Sequence, residues 1–490
     1  MRRNEDNMRN LTLLTDFYEL TMMQGYFKSG INQTVIFDAF HRKNPCGGGY
    51  SIACGLEQVI EYINNLHFND EDIDYLRTLG YFDEDFLEYL KDFHFTGDIY
   101  AIPEGTVMFP REPIVKVIAP AMEAQLIETA LLNIVNHQCL IATKSARVCY
   151  AAKGDGIMEF GLRRAQGPDA GIYGARAAMI GGCIGTSNVL TGQMFDVPIK
   201  GTHAHSWIMS FPDEYTAFKT YADLYPQACI LLVDTYDTLR SGVPNAIRVF
   251  KEMRENGIPL TFYGIRLDSG DLAYLSIQAR KMLDEAGFPD AVISASNDLD
   301  EFLIDSLKTQ GAKITSWGVG TNLITSKDCP AFGGVYKLAA IWDDDKKEFI
   351  PRIKISENTE KITNPGNKTI YRIYDNNNKI KADLIAFADE EYSKDEPLLL
   401  FDPVETWKKT LLEPGEYTIR EIMVPVFKNG KCVYTSPSVM EIRDYCQKEL
   451  ATLWDESKRL VNPHEVHVDL SSKLYKVKCA LLDDYGASRR

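Results

Sequence analysis

Between residues 150 and 345 short apolar runs alternate with amphipathic stretches, and that alternation predicts the core of the fold. The runs are 157–160 (IMEF), 183–189 (CIGTSNV), 198–202 (PIKGT), 228–234 (ACILLVD), 261–267 (TFYGIRL), 291–295 (AVISA), 313–319 (KITSWGV) and 335–341 (VYKLAAI). Segments of helical period separate most of them, for example 245–256, 272–286 and 299–310. Strand followed by helix, repeated, implies a parallel sheet. About eight such strands predict a closed, irregular α/β barrel whose chemistry lies at the C-terminal ends of the strands.

The flanking segments read differently. Residues 11–27 form a helix starting at Thr15-Asp16, 35–40 (VIFDAF) alternate as a strand, 56–66 have the 3.6-residue period, 99–117 are short strands and 122–141 one long apolar helix. Three regions follow: an N-terminal α/β domain over 1–125, an irregular α/β barrel over 126–345, and a C-terminal α/β region over 346–490 that packs on the N-terminal domain.

At 490 residues the chain exceeds one ordinary core, and 45% hydrophobic, 11% aromatic and 25% charged residues are globular values. A net charge of −16 argues against nucleic acid and anionic membranes as partners. The ten cysteines form no C-x-x-C pair, and neither a signal core nor a membrane-spanning apolar window is present, so a cytoplasmic protein with reduced thiols is expected.

Polar groups recur at the ends of the predicted barrel strands: Glu159, Phe160, Arg163 and Arg164; Thr186, Ser187 and Asn188; Thr202, His203 and His205; Asp234 and Thr235; Arg266, Asp268 and Ser269; Ser296 and Asn297; Gly318, Gly320 and Thr321. If 203–205 is a strand end, His203 and His205 face one side. Two such histidines can ligate a metal, carry a nucleophilic imidazole, or be hydrogen-bonded core residues. The metal reading lacks a full ligand set, because no histidine follows His205 until His464. Phosphate binding fits better: the loops of Ser296-Asn297 and Gly318-Val319-Gly320-Thr321 offer backbone N–H groups near helix starts, with Arg163, Arg164 and Arg266 to balance charge.

The segments TDFYELTM, FDAFHRKNPCGGGY, MEFGLRRAQGPDA, GTSNVLTGQ, GTHAHSW, YGIRLDSGDL, GVGTN, FGGVYKL, KITNPGNK and NPHEVHVDLS, in this order over residues 15–470, resemble those of the nicotinate phosphoribosyltransferases, type II phosphoribosyltransferases. The resemblance implies transfer of the 5-phosphoribosyl group from phosphoribosyl pyrophosphate to nicotinate. Nicotinate mononucleotide and pyrophosphate are formed, with coupling to ATP hydrolysis, in NAD salvage.

By that resemblance His205 is the histidine phosphorylated by ATP, Arg266 and Asp268 act beside it, and magnesium arrives with the pyrophosphate or ATP, with no protein metal site of its own. Phe160 and a partner subunit's Tyr18 sandwich the pyridine ring, while Arg163 lies near the ring and the ribose phosphate. Ser187, where the related nicotinamide enzymes carry a carboxylate, favours the acid. Thr202, Ser296, Asn297, Gly318, Gly320 and Thr321 complete the substrate-binding set, and Arg42 and Lys43 reach the pyrophosphate or ATP from the second subunit of a homodimer with shared active sites. The CGGGY loop is a variant of the family's basic loop, and His203 stands where other members can have an apolar residue. Nicotinamide or quinolinate transfer, and a regulatory protein that keeps the fold without turnover, are the competing readings.

Overall fold

The structure is a computed structural model that describes residues 10–358 and 361–487; the first nine residues of the charged N-terminus lie outside them. The chain gathers into two compact units, residues 1–140 with 331–490, and residues 141–330. The first unit thus unites the segments expected as N- and C-terminal regions and also takes in 126–140 and 331–345.

The second unit is built on six parallel strands in the order Gly185–Thr186, Gly156–Glu159, Ser316–Val319, Val292–Ala295, Tyr263–Leu267 and Cys229–Leu232. Ser316–Val319 and Cys229–Leu232 are buried along their whole length, and Cys229–Leu232 accordingly reads as an unbroken apolar run. The intervening helices cover the sheet through one face each; Val243–Glu255 buries Val243, Ala246, Val249, Phe250 and Met253, a helical stripe. The Phe250 ring meets Tyr263 edge-on at 5.1 Å. Three helix starts are fixed locally: Asp213, Asp271 and Asp300 accept the N–H groups of Thr216, Tyr274 and Leu303, caps that contribute about 1 kcal/mol each. The strands run close, since a Cβ on Gly264 would lie 2.0 Å from the Val292 carbonyl oxygen.

The irregular α/β barrel is therefore present, but two of the expected eight strands are not in it and, among the described residues, its two edge strands do not pair. The 198–202 run makes one parallel bridge, Thr186 with Ile199, because Pro198 has no N–H to donate and the chain leaves the sheet at once. The 335–341 run lies in Val335–Asp343, an antiparallel strand of the first unit that pairs with Thr34–Phe40. The helix expected over 122–141 is two helices, Ala121–Leu126 and Glu128–Ala151, broken at Ile127.

The first unit holds a seven-stranded antiparallel sheet ordered Glu348–Pro351, Val335–Asp343, Thr34–Phe40, Val115–Pro120, Asp98–Ala101, Val424–Lys428 and Lys431–Cys432. Beside it is a four-stranded sheet containing Lys368–Tyr374 and Ile380–Phe387. On these two strands Arg372 faces Asp383 directly and donates to both its oxygens, at 2.9 and 2.6 Å, and to Glu449 at 3.1 Å. Arg372 and Asp383 are fully buried. Burial, then the charge of Asp383, pushes the Glu112 carboxyl well above its usual range. Removing one member strands a buried charge, so R372M is expected to lower stability by about 3–5 kcal/mol in urea unfolding. An unchanged midpoint would contradict that role.

Candidate active site

The C-terminal ends of the parallel strands are cross-linked by their own polar groups. Buried Glu159 ends the strand Gly156–Glu159; one carboxylate oxygen accepts the Gly161 N–H and the other the Thr186 hydroxyl at 2.6 Å. Burial pushes its carboxyl up, opposed by these two donors. The Thr186 hydroxyl in turn accepts the Asn188 N–H at 3.0 Å, and the Asn188 side chain caps the helix Val189–Phe195. Ser187 is thereby fixed between two strand ends, its N–H donated to the Glu159 carbonyl at 3.0 Å.

Phe160 follows Glu159, and its N–H donates to the Val319 carbonyl at 2.8 Å. The ring lies over Gly318, where an added Cβ would approach its Cδ2 to 2.5 Å. Gly320 is similarly close to the Phe160 carbonyl, at 3.3 Å from its own absent Cβ. These two glycines thus give the aromatic ring its floor. Arg163 is exposed on the turn Leu162–Arg164, near enough to Arg266 to oppose its charge.

Arg266, on Tyr263–Leu267, donates from Nη1 to the Thr202 hydroxyl and from Nη2 to the His203 carbonyl at 3.1 Å. Its Nε is buried with no partner among the described residues. Burial, the leading effect, lowers its pKa, and the charges of Asp268 and Asp234 oppose that shift. Asp234 Oδ2 accepts the Asp268 N–H at 2.7 Å and the Ser269 hydroxyl at 2.8 Å, while Oδ1 is buried without a partner among the described residues. Asp268 Oδ1 accepts the Ser296 hydroxyl.

The two histidines do not lie on a strand. Residues 200–204 have no regular structure and His205 opens the short helix His205–Met209, so the period-two rule does not apply to them. They part company as a result. His203 is buried; its Nε2 accepts the Leu232 N–H at 3.4 Å, and Tyr221 packs edge-on at 4.6 Å. The His205 side chain is 40% exposed, with Nδ1 3.1 Å from the Thr235 hydroxyl and Nε2 3.7 Å from Asp268 Oδ2. A partly exposed imidazole between a hydroxyl and a carboxylate is equipped to accept a phosphoryl group or to act on one.

Ser296 is buried, and the next two residues, Asn297 and Asp298, turn the chain with φ of 93° and 37°. The Asn322 side chain holds this turn by donating to the carbonyls of Asp298 and Leu299 at 2.8 and 3.1 Å. The N-terminus of the following helix is capped by its own Asp300, so an anion there would meet the turn and not the helix start. Thr321 begins the helix Thr321–Ile324 just past Gly320. Hydrogen bonds thus join Arg266 to Thr202 and His203, and Asp268 to Ser296 and Asp234, with His205 bonded to Thr235 and 3.7 Å from Asp268, while Phe160, Gly318 and Gly320 pack against one another. Tyr18, Arg42 and Lys43 belong to the first unit: Tyr18 is 46% exposed on the first turn of Phe17–Ser29, and Arg42 and Lys43 follow the strand Thr34–Phe40. Sequence reasoning noted Asp234, Thr235 and Glu159 at strand ends without giving them tasks. Asn322 stands in the quoted GVGTN segment, but it was given no task there.

Burial, then the Arg266 charge, lowers the His203 pKa from about 6.5 to about 4, so the folded protein holds this ring neutral. The associated stability is present above the ordinary imidazole pKa and is lost as pH falls from about 6.5 toward 4. In urea unfolding between pH 7 and 4.5, H203N is expected to lack on the order of 2–3 kcal/mol of the wild-type acid loss. Parallel pH curves would exclude this.

The comparisons with known proteins concern the whole chain. Three family models match: the nicotinate phosphoribosyltransferase N-terminal domain over residues 13–136, the nicotinate phosphoribosyltransferase family over 156–346, and the C-terminal domain over 367–478. The chain is 50% identical over 472 residues to the nicotinate phosphoribosyltransferase of Bacillus subtilis, covering 96% of this chain and 94% of that one. It is 36% identical over 521 residues to that of Dictyostelium discoideum, covering 94% and 87%. The crystal structure of human nicotinic acid phosphoribosyltransferase superposes with a TM-score of 0.82 at 29% identity, over 96% of this chain and all (100%) of that one. With every region matched in order, the chain belongs to the nicotinate phosphoribosyltransferase family.

Proposed function

We propose that the protein transfers the 5-phosphoribosyl group of phosphoribosyl pyrophosphate to nicotinate, releasing pyrophosphate and nicotinate mononucleotide in NAD salvage. We further propose that it couples this transfer to ATP hydrolysis through a phosphohistidine at His205. The observation that carries the second part is the setting of that ring: partly exposed and flanked by Thr235 and Asp268. Family membership supports the first part.

As pyrophosphate leaves, the anomeric carbon gains oxocarbenium character, and the site must stabilise cation and anion together. Phe160 offers a flat apolar platform for the pyridine ring, and in a homodimer Tyr18 of the partner subunit covers its other face. Arg266, fixed at both Nη atoms, and Arg163 meet the nicotinate carboxylate and the ribose phosphate. Ser187 presents a neutral hydroxyl, which does not repel that carboxylate. Thr202, Ser296, Asn297, Gly318, Gly320 and Thr321 line the sugar-phosphate region, and Arg42 and Lys43 of the partner subunit bind the pyrophosphate or ATP.

Magnesium suits this acidic edge, because Asp234 Oδ1 is buried with no partner and Asp268 stands next to it. Asp234 and Asp268 would hold the ion that arrives with the pyrophosphate, and it would supply charge neutralisation for the leaving group. Among the described residues no helix is long and apolar enough to cross a membrane, which accords with the proposed cytoplasmic location.

The test is a coupled assay of nicotinate against nicotinamide with phosphoribosyl pyrophosphate, with and without ATP, together with transfer of labelled γ-phosphate to the protein. Wild type is expected to prefer nicotinate, to be stimulated by ATP and to take up label, whereas H205N takes up none. S187D is expected to use nicotinate about tenfold less well or worse, through like-charge repulsion. Equal labelling of H205N, or a wild-type preference for nicotinamide, would refute the proposal.

A further inference from the structure

We propose that Asn322 is a positioning residue for sugar-phosphate binding: its carboxamide holds the turn at 297–299 in the shape that offers backbone N–H groups to the phosphate. This rests on the proposed use of phosphoribosyl pyrophosphate. Asn297 and Asp298 have φ of 93° and 37°, in the left-handed region that L residues enter at a cost. Asparagine and aspartate tolerate it best, but two in succession need outside support. Among the described residues the N–H groups of Asn297 and Asp298 have no acceptor, and a turn with free N–H groups makes an anion-binding concavity.

The turn is fixed at both ends. Before it, the Ser296 N–H donates to the Leu267 carbonyl at 2.9 Å. After it, Asp300 accepts the Leu303 N–H at 2.7 Å, and buried Glu301 is paired with Lys144 at 2.7 Å and with Arg147 at 2.9 Å. Between those anchors the Asn322 amide holds the chain. An amide NH2 group has two protons, one for each carbonyl it meets here, that of Asp298 at 2.8 Å and that of Leu299 at 3.1 Å. Among the described residues neither carbonyl has another donor. Asn322 is buried and directly follows Gly318-Val319-Gly320-Thr321, so one side chain ties the glycine loop to the Ser296-Asn297 turn. An aspartate of the same shape has no proton to give and sets a carboxylate against two carbonyls. The anchored ends then stay in place, while the turn alone relaxes toward negative φ and withdraws its N–H groups from the phosphate.

Asn322 thus acts through the turn and not on substrate. The experiment compares the transfer kinetics of wild type, N322A and N322D, each substrate being varied with the other saturating. The KM for phosphoribosyl pyrophosphate is expected to rise about tenfold in N322A and further in N322D, with kcat within about threefold and the KM for nicotinate within about twofold of wild type. A general loss of structure would instead lower kcat and disturb both KM values. Two variants guard against one that fails to fold. A KM for phosphoribosyl pyrophosphate within about twofold of wild type in either folded variant, or equal rises in both KM values, would overturn the proposal. If wild type shows no transfer, the functional reading fails, and calorimetric binding of ribose 5-phosphate decides the role of Asn322. Binding by wild type about tenfold or more tighter than by both variants supports that role, and equal binding or none overturns it.

Discussion

The carboxylate of Asp234 is the tie on which the candidate site depends. Through one oxygen it takes the backbone N–H of Asp268 and the hydroxyl of Ser269, joining the ends of two neighbouring strands. The Ser296 hydroxyl bound to Asp268 brings in a third strand end. Because parallel strands all finish at the same edge, such short polar links converge without any long loop. His205 and Arg266 are then placed by contacts to this cluster and its neighbours. Two buried atoms with no partner among the described residues, Asp234 Oδ1 and Arg266 Nε, are costly unless a ligand meets them.

A second constraint shapes the aromatic side of the site. Phe160 needs an open surface beneath it, and only a glycine at 318 gives one. In the sequence Gly318 and Gly320 look like phosphate-loop glycines. Their packing shows a steric task as well, since each sits where a side chain would meet the Phe160 ring or backbone.

Much of this was legible in the chain. Six of the runs between 157 and 319 hold strands of the sheet, and the helices between them stand where the apolar period puts them, because buried parallel strands and one-sided helices leave clear patterns. The clustering of polar groups at strand ends was equally readable. Closure of the barrel was not, since it depends on whether the run 198–202 can sustain a ladder, and one proline limits it to a single bridge. Nor was the divergence of His203 and His205, because period-two reasoning holds only on a strand and the chain enters a helix at His205. Asn322 holds the 297–299 turn from a distant point in the chain, a long-range contact that no local pattern carries.

The central claim is that one edge of a parallel sheet gathers the pyridine acid, the activated sugar and His205 into a single site. A crystal structure with nicotinate and a non-reactive phosphoribosyl pyrophosphate analogue tests it most directly. The account predicts the pyridine ring stacked on Phe160, its carboxylate near Arg266, and the pyrophosphate beside His205 and Asp268. Ligands bound at another face, with the His205 ring turned away from the pyrophosphate, would contradict it.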